Sequence, residues 1–560
     1  MFDRVPDTID IPARASRCLD SMIEMSDRKH DCVPYIGASL GEDKPHFVHH
    51  RLDFTEVLPY SIYGTIVARH LSGSGNGTDV ERRQRELMLS LFDPADGFVY
   101  TKLSPWNEKT APVSIWEQAR MLYALLYLYQ DTRDPSLLTR MDRMVDSLFS
   151  ISQKDGKQRR YSDAIVHDSI MGIWGIGALI DPLVKYAEMV GSFKALDLAG
   201  GIVHLFLDPS KNLLDGNRSF GPMFRAVTAV INGVSRYASS TGGEELILKA
   251  KAVHDYAVSR CTSFGSTPCH EPACSNMELN MSAISLARAG FDQYYDQIDR
   301  FTRNQTCEAQ FLDPREWVKE KTHRGRILTP EFVYEDYPPA LEVLPWDDYH
   351  NIVERSVGGF MWCSPVKHKF MPASVMLCCC AHAMRTFQII WENALRRQLN
   401  QVDVLFHYNV QNAVGQLISC EPFEGRVSVV LADNADRLRI RLPEYARGER
   451  VSLFLDNKPV EFTSEGRFVC LDRVARGVVV TLQYPLQPRV TVEKDYRETP
   501  KTDEAPDASG PFTVTWKGNT VMSISPQPQI ENRIYKREHL DTDIVPWRPA
   551  RGPQDYGLSW

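Results

Sequence analysis

Two groups of cysteines, far apart in the chain, are the residues of this sequence best suited to chemistry. Cys378, Cys379 and Cys380 are consecutive, and the segment CHEPAC occupies positions 269–274. The pattern after position 375 predicts an amphipathic helix, so the three consecutive thiols lie at its N-terminal end. The helix dipole there favours thiolates, which can bind a metal or attack an electrophile. Two distant clusters indicate one site that is assembled by folding.

The segment 269–274 offers further ligand types beside its thiols. Glu271 and Cys274 lie where a loop enters a helix predicted to start near Met277, and His270 is a spare donor. Zinc readily combines cysteine sulfur with carboxylate oxygen, so the two clusters predict a zinc site with three or four ligands. The alternative is that the cysteines are small buried apolar residues, because free cysteine is among the most buried residue types.

The elements that would position these residues are helical as far as about residue 400. Amphipathic segments of helical period are separated by Gly, Pro and Asp, and several loops end one helix and start the next. Recurrent hairpins of this kind predict a mainly α domain over residues 1–400, an (α/α)6 toroid of six hairpins. The helices expected are 116–130, 181–190, 195–207, 224–239, 244–260, 277–289 and 375–395.

After about residue 400 the period changes to that of strands. Short alternating runs bounded by turn residues predict a C-terminal β-sandwich over 401–535. Within it, 493–510 is charged and rich in Pro, Asp and Thr and is expected to be a mobile loop, whereas 512–516 and 520–524 predict a hairpin. Residues 536–560 lack periodicity and are expected to pack as a tail across another domain.

Composition excludes several classes of protein. With 560 residues, 43% hydrophobic and 24% charged, the chain is an ordinary globular protein of more than one domain. A net charge of -8 without basic runs argues against nucleic acid as a partner. No apolar stretch is long enough for a membrane span and no secretory signal is apparent, so we expect a soluble cytoplasmic protein whose cysteines are thiols.

The sequence around the consecutive cysteines resembles a known family. The segment MLCCCAHAMRTF (376–387) is similar to the signature CCxPNxAR of glycoside hydrolase family 127. The segments VGGF (357–360), LRIRLPEY (438–445), LFLDNKPV (453–460) and TWKGNTV (515–521) are similar to their family counterparts in the same order. The resemblance covers nearly the whole chain and is best from residue 180 onward.

This resemblance implies a fold, an activity and a set of roles. The family's β-L-arabinofuranosidases have an (α/α)6 barrel with β-sandwiches, and a zinc ion held by one Glu and three Cys. By position, Cys378 matches the nucleophile and a metal ligand, Cys379 and Cys274 match the other thiolates, and Glu271 matches the carboxylate. The resemblance therefore implies retaining cleavage of an arabinofuranoside or a similar small sugar conjugate, with an oligosaccharide or small molecule as substrate.

The chain differs from the family at positions that matter for metal binding and catalysis in the family. Ala381 and His382 replace the Pro-Asn pair of the signature, and two residues rather than one separate Glu271 from Cys274. A helix that begins with His in the family has Arg225 here. The family's acid/base Glu lies upstream of the ligand loop, where residues 255–267 offer only Asp255.

Other polar residues are candidates for substrate binding. The candidates are Arg225, His270, His382, Glu117 and His167. Glu117 could line the barrel or could equally form a structural ion pair, and His167 lies in a polar loop for which substrate contact is the less favoured reading. Asp53 and Glu56 could point into the barrel mouth, but a helix cap or a solvated face is the favoured explanation for them.

Three functions are consistent with these observations. The first is a zinc-thiolate glycosidase. The second is a lyase, isomerase or cyclase that uses the same barrel on a small metabolite, which the missing acid would favour, and the third is a catalytically inactive carbohydrate-binding protein. The sequence leaves the oligomeric state open, with a homodimer among the options.

Overall fold

The computed structural model describes most of the chain, including both regions of the predicted architecture. The described residues are 1–40, 45–49, 53–100, 114–162, 172–211, 213–214, 224–268, 272–314, 347–362, 374–448, 450–493, 511–526, 535, 537–552 and 556–560.

Helices dominate the described residues up to Ala394. In chain order they are α1 (Ile11–Glu24), α2 (Leu58–Ser72), α3 (Thr78–Ser90), α4 (Ile115–Thr132), α5 (Pro135–Ile151), α6 (Ile173–Gly177), α7 (Ile180–Val190), α8 (Phe193–Phe206), α9 (Phe224–Thr241), α10 (Glu244–Ser259), α11 (Pro272–Arg288), α12 (Tyr294–Phe301), α13 (Ile352–Arg355) and α14 (Leu377–Ala394). Short π-helical turns, Asp53–Val57 and Thr302–Thr306, precede α2 and follow α12.

Six of these helices form a closed ring. Each contacts the next in the order α2, α4, α7, α9, α11 and α14, and α14 returns to α2. The helices between them in sequence, such as α8 and α10, pack on the outside of the ring. This alternation of inner and outer helices is the (α/α)6 toroid, so the predicted fold is confirmed.

Burial explains which helices lie inside the ring. The inner helix α4 is buried on all sides from Ile115 to Leu128, because it faces both the interior and the outer layer. The outer helix α10 buries only a stripe, formed by Ala250, His254 and Ala257. Neighbouring inner helices also approach closely, since a Cβ added to Gly64 of α2 would lie 2.9 Å from the Ala381 Cβ of α14.

The inner helices run parallel to one another. The first turns of α11 and α14 meet through Cys274 and Cys379, and their last turns meet through Arg288 and Asn393. Between α9 and α2, Arg225 donates a hydrogen bond to the Tyr60 hydroxyl, and each residue lies in the first turn of its helix. The N-termini of α2, α9, α11 and α14 therefore share one end of the ring, which we call the mouth, and their dipoles favour negative charge there.

The C-terminal region consists of strands. The strands are β9 (Leu395–Gln398), β10 (Gln401–Val404), β11 (Val410–Asn412), β12 (Gly415–Ser419), β13 (Arg426–Leu431), β14 (Ala435–Arg441), β15 (Ser452–Leu455), β16 (Lys458–Val460), β17 (Thr463–Glu465), β18 (Phe468–Val474) and β19 (Val479–Gln483). They form a five-stranded sheet of order β17-β18-β14-β10-β9 and a six-stranded sheet of order β11-β12-β13-β19-β15-β16. Buried residues of both sheets belong to one hydrophobic core.

Smaller sheets complete the fold. β20 (Pro488–Glu493), β21 (Phe512–Lys517) and β22 (Thr520–Ser525) form a three-stranded antiparallel sheet. The predicted hairpin is its β21–β22 pair, while residues 494–510 lie outside the described residues. Near the N-terminus, β1 (Arg4–Pro6) pairs with β23 (Trp547–Pro549), and β4 (Gly37–Ser39) pairs with β5 (His46–Val48) and β8 (Ser374–Met376). Two further hairpins join β2 (Ser26–Asp27) to β3 (Val33–Pro34) and β6 (Gln153–Asp155) to β7 (Gln158–Arg160).

A buried carboxylate joins the helical ring to the strands. Asp296 of α12 is fully buried and accepts hydrogen bonds from Arg441 at 2.7 Å and from Arg467 at 2.6 Å. Burial alone would raise the pKa of Asp296, but these guanidinium groups lower it. The two regions are thus held together by charge pairs shielded from water.

The end of the ring opposite the mouth is covered by residues 556–560. The Trp560 ring stacks on Tyr127 at 4.8 Å between centroids, and the Arg385 guanidinium lies 4.7 Å from the Trp560 ring. The Ser559 N–H donates to Gln130 at 2.9 Å. We call this segment the plug. None of the described helices has the length and apolarity that a membrane span requires.

Candidate thiolate site at the mouth of the ring

Three thiols meet where two inner helices begin. Cys274 lies in the first turn of α11, and Cys378 and Cys379 lie in the first turn of α14. Their sulfur atoms all lie within 4.8 Å of one another, and the Cys274 and Cys379 sulfurs are 3.9 Å apart. All three residues are buried.

The spacing of these thiols suits a zinc ion. Tetrahedral zinc with Zn–S bonds of about 2.3 Å places its sulfur ligands about 3.8 Å apart. The 3.9 Å between Cys274 and Cys379 matches that value. Among the described residues this is the one group of three candidate metal ligands in such proximity.

The three thiols are not electrostatically equivalent. Hydrogen bonds from Cys274 and then Cys379 hold the pKa of Cys378 well below its usual value, and the positive charge of Arg225 acts in the same direction. Burial instead raises the pKa of Cys274 and of Cys379. Cys378 is therefore the thiol that most readily carries the negative charge, as a nucleophile must.

Cys380 does not belong to this group. Consecutive residues on a helix point about 100° apart, and Cys380 faces the outer helix α1, where the Cys18 sulfur lies 4.0 Å from its carbonyl oxygen. Its own sulfur accepts a hydrogen bond from the Phe360 N–H at 3.3 Å. Cys378 and Cys379 thus belong to the group of three thiols, whereas Cys380 lies between α14 and α1.

A second pair of side chains lies one helical turn below the thiols. Glu278 follows Cys274 by four residues on α11, and His382 follows Cys378 by four residues on α14. The His382 Nε2 lies 3.8 Å from a Glu278 oxygen, and the His382 Nδ1 lies 2.6 Å from the Cys378 carbonyl oxygen. The same i,i+4 register that brings the thiols together therefore brings this Glu and His together.

Glu278 is held as a carboxylate by its neighbours. Its Oε2 accepts a hydrogen bond from Asn232 at 2.8 Å, and Arg120 lies 4.0 Å from its Oε1. Burial would raise the pKa of Glu278, but His382 and Arg120 lower it to about 2. With a side chain only 2% exposed, Glu278 forms the floor of the site.

The opposite side of the mouth is formed by α2, α4 and α9. Arg225 donates a hydrogen bond to the Tyr60 hydroxyl, and its Nη2 lies 3.7 Å from the Glu56 Oε1. The same Glu56 oxygen accepts a hydrogen bond from the Trp116 Nε1 at 3.0 Å. The Arg120 guanidinium stacks 3.8 Å from the Trp116 ring. Aromatic rings and charged hydrogen-bonding groups thus face the thiols across the mouth.

The structure brings some of the predicted site residues together, and others lie outside the residues that it describes. The structure brings together Cys274, Cys378 and Cys379, and it places Arg225 near them. His382 lies below the thiols, and Glu117 is buried in the first turn of α4. Glu271, His270 and His167 lie outside the described residues.

Two contributors were not found or were underestimated from the sequence. Glu278 was missed because α11 was expected to start near Met277, whereas it starts at Pro272 and puts Cys274 and Glu278 on one face. Glu56 could be explained by a solvated face, but it is buried and hydrogen-bonded to Trp116. The feature of the sequence that could have indicated a role for Glu56 is its position just before the inner helix α2.

Solved structures share this fold. One described as a GH127 β-arabinofuranosidase is 15% identical with a TM-score of 0.58, and the match covers 93% of this chain and 84% of that one. A GH127 β-L-arabinofuranosidase from Geobacillus stearothermophilus T6 is 13% identical with a TM-score of 0.54, covering 90% of this chain and 80% of that one. A structure described as a glycoside hydrolase is 12% identical with a TM-score of 0.59, covering 93% and 81%.

The family resemblance read from the sequence is therefore confirmed at the level of the fold. No family model matches the chain, and no curated protein matches it in sequence.

Proposed function

We propose that this protein is a zinc-dependent, retaining glycoside hydrolase that cleaves a β-L-arabinofuranoside or a similar small sugar conjugate. The observation that carries the proposal is the group of three buried thiols at the mouth of a six-hairpin ring. The ring fold is shared with solved structures described as β-arabinofuranosidases, one of them a β-L-arabinofuranosidase, which supports a sugar as the substrate.

Cys274, Cys378 and Cys379 would hold the zinc ion, with Glu271 as the fourth ligand. Their buried sulfurs and the 3.9 Å spacing between Cys274 and Cys379 fit this donor set. When bound, zinc would keep the coordinating thiols ionised at neutral pH.

Cys378 is the nucleophile of the proposed reaction. Its sulfur attacks the anomeric carbon, a C–S bond forms and the glycosidic C–O bond breaks, and the departing oxygen takes a proton. Water then displaces the sulfur from the opposite face, which regenerates Cys378. Two successive inversions give net retention of configuration.

The opposite side of the mouth would bind the sugar. Arg225 would donate to hydroxyl groups of the sugar, and Glu117 in the first turn of α4 would accept from them. His270 and His167 are further candidates for this role. His382, which contacts the Cys378 backbone, would support the sugar site from below.

A panel of p-nitrophenyl glycosides tests the proposal together with metal analysis. We expect about one zinc per chain, release of p-nitrophenol from the β-L-arabinofuranoside or a related pentoside, and loss of activity on chelation that zinc restores. Bound zinc without cleavage of any glycoside would contradict the hydrolase and favour a lyase or isomerase. A protein that neither binds zinc nor cleaves would favour a binding role.

A further inference from the structure

The proposed displacement requires a proton donor that the sequence does not place where the family has it. Asp255, the one carboxylate in residues 255–267, lies on the outer helix α10. Its oxygens bind Lys251 at 2.6 Å and the Tyr294 hydroxyl at 2.5 Å, and its side chain is 44% exposed. Asp255 is therefore hydrogen-bonded to other side chains on the outside of the ring and cannot protonate a leaving group at the mouth.

Glu278 is close to the thiols but unsuited to the same task. Asn232 and Arg120 occupy its two oxygens, and it lies one turn below Cys274 on the floor of the site. A general acid must reach the glycosidic oxygen above the thiols, and it must exchange its proton with substrate and water.

Glu56 has the geometry that Glu278 lacks. It lies in the π-helical turn before α2, at the mouth, and its side chain is 11% exposed against 2% for Glu278. The Trp116 N–H fixes its Oε1 at 3.0 Å, while its Oε2 has no partner among the described residues. One oxygen is thus held in place, and the other accepts no hydrogen bond from the residues that the structure describes.

Arg225 connects Glu56 to the thiols. Its Nη2 lies 3.7 Å from the Glu56 Oε1, and its charge acts on both Cys274 and Cys378. Glu56 therefore lies beside a guanidinium group whose charge also acts on Cys378. A retaining glycosidase needs a carboxyl group and a nucleophile on either side of the scissile bond.

We propose that Glu56 is the general acid and base of the reaction, an inference that rests on the proposed function. In the first step Glu56 gives a proton to the glycosidic oxygen as Cys378 forms the C–S bond and the C–O bond breaks. In the second step the Glu56 carboxylate takes a proton from water, whose oxygen displaces the Cys378 sulfur. Trp116 and Arg225, both beside Oε1, stabilise the carboxylate between the two steps.

Glu56→Gln separates this role from a structural one. The amide oxygen of Gln can still accept from Trp116, so we expect folding and zinc content to be retained. Two substrates are compared, a p-nitrophenyl β-L-arabinofuranoside, whose leaving group needs little protonation, and the corresponding alkyl glycoside, whose leaving group needs it fully. For the alkyl substrate kcat/KM should fall by about 10²- to 10⁴-fold, and for the aryl substrate much less.

External azide provides a second readout. It needs no base, so it should accelerate turnover of the aryl substrate by Glu56→Gln and yield a glycosyl azide of retained configuration. Glu392→Gln is the matched control, because Glu392 is a carboxyl group of α14 that contacts the plug at the far end of the ring. Its ratio of aryl to alkyl kcat/KM should equal that of the wild type.

The outcomes distinguish this assignment from the function on which it rests. Equal losses on both substrates without azide rescue, or no loss, would overturn Glu56 as the acid and base while the hydrolase stands. The Glu56 assignment would also be overturned if Glu117→Gln, rather than Glu56→Gln, showed the leaving-group dependence and the azide rescue. If the wild type cleaves neither substrate, the proposed function fails and the Glu56 assignment fails with it.

Discussion

At the scale of single residues, the identity of each cysteine matters less than the direction in which its helix points it. Cys378 and Cys379 face the sulfur of Cys274, whereas the next residue, Cys380, faces α1. The proposed metal binding and nucleophilic attack both depend on that register, because Cys380 points about 200° away from Cys378 around the helix.

The first prediction concerns zinc binding. Cys274→Ser removes one of the three grouped thiolates, so the variant should lose zinc in dialysis against a chelator that leaves wild-type zinc in place. Cys380→Ser is the matched control, since it changes a neighbouring buried cysteine outside the group, and it should keep its zinc. Equal zinc retention by the two variants, measured by atomic emission, would contradict the three-thiolate site.

The second prediction concerns the nucleophile. Cys378→Ser should lower kcat for an aryl glycoside by about 10³-fold or more, because a serine hydroxyl is far less ionised than the thiolate. Circular dichroism should match the wild type, since the two side chains have similar size. Cys470→Ser, in the β-sandwich, is the control for loss of a buried thiol. Substantial turnover by Cys378→Ser would show that another group attacks.

Much of this site could be predicted from residue types, and the rest depended on register. The two cysteine clusters, with the helix expected over 375–395, were sufficient to predict that Cys274 and Cys378 meet. The pairing of Glu278 with His382 was not predictable, because it appears only when the start of α11 is known to within a residue. Cys274 and Glu278 share a helix face only if both lie within the helix, and a start near Met277 leaves Cys274 outside it.

At the scale of elements, the turn that carries Glu56 is fastened by a buried charge network. His49 lies between two carboxylates, with its Nδ1 2.7 Å from Asp53 and its Nε2 3.3 Å from Asp27. Asp53 is the first residue of the π-helical turn, so this network fixes the entry to α2. Burial would lower the pKa of His49, but hydrogen bonds to Asp27 and Asp53 raise it to about 9.

The third prediction follows from that shift. The folded protein holds a proton on His49 up to about pH 9, whereas the unfolded chain releases it near pH 6.5. The stabilisation is therefore complete below about pH 6.5 and is lost as pH rises to about 9, by up to about 3 kcal/mol. His49→Gln should unfold at lower denaturant concentration at pH 6.5, and its deficit relative to the wild type should shrink by pH 9.

The control for this prediction is His539→Gln, which changes an exposed histidine. It should follow the wild-type stability at both pH values. A deficit of His49→Gln that stays constant between pH 6.5 and 9 would show that His49 contributes packing alone.

The architecture was more predictable than the position of its turns. Inner helices such as α4 and α9 were expected at 116–130 and 224–239, and they occupy Ile115–Thr132 and Phe224–Thr241. The strand pattern likewise predicted 426–431, where β13 lies. The pairing of β1 with β23 was not predicted, because a contact between segments hundreds of residues apart leaves no periodic signal in either one.

At the scale of the whole molecule, the plug is part of the ring's packing. Trp560 is 7% exposed and lies against Tyr127, Arg385 and Arg236, which belong to three different inner helices. Below the thiols, Asn232 bridges Glu278 and Asp181, and Asp181 lies 3.6 Å from Arg385. Polar contacts therefore line the ring from the site floor to the plug.

The fourth prediction is that the plug stabilises the ring. Trp560→Ala removes a buried ring from an aromatic and cationic stack and should lower the free energy of unfolding by about 3–5 kcal/mol. Phe193→Ala is the control, because that aromatic side chain is 88% exposed and its loss should cost little. Chemical denaturation of both variants measures the difference, and equal midpoints would contradict a packed plug.

The plug also restricts the path by which a ligand could reach the thiols. Glu278 closes the site below the thiols and Trp560 is seated among the lower turns of the inner helices, so the ring is closed at the end opposite the mouth and is not a channel. In the proposed reaction a long polymer could not be threaded through the ring, so only a terminal unit would reach Cys378. The released unit would leave by the way it entered, and we expect the liberated sugar to compete with incoming substrate at the mouth.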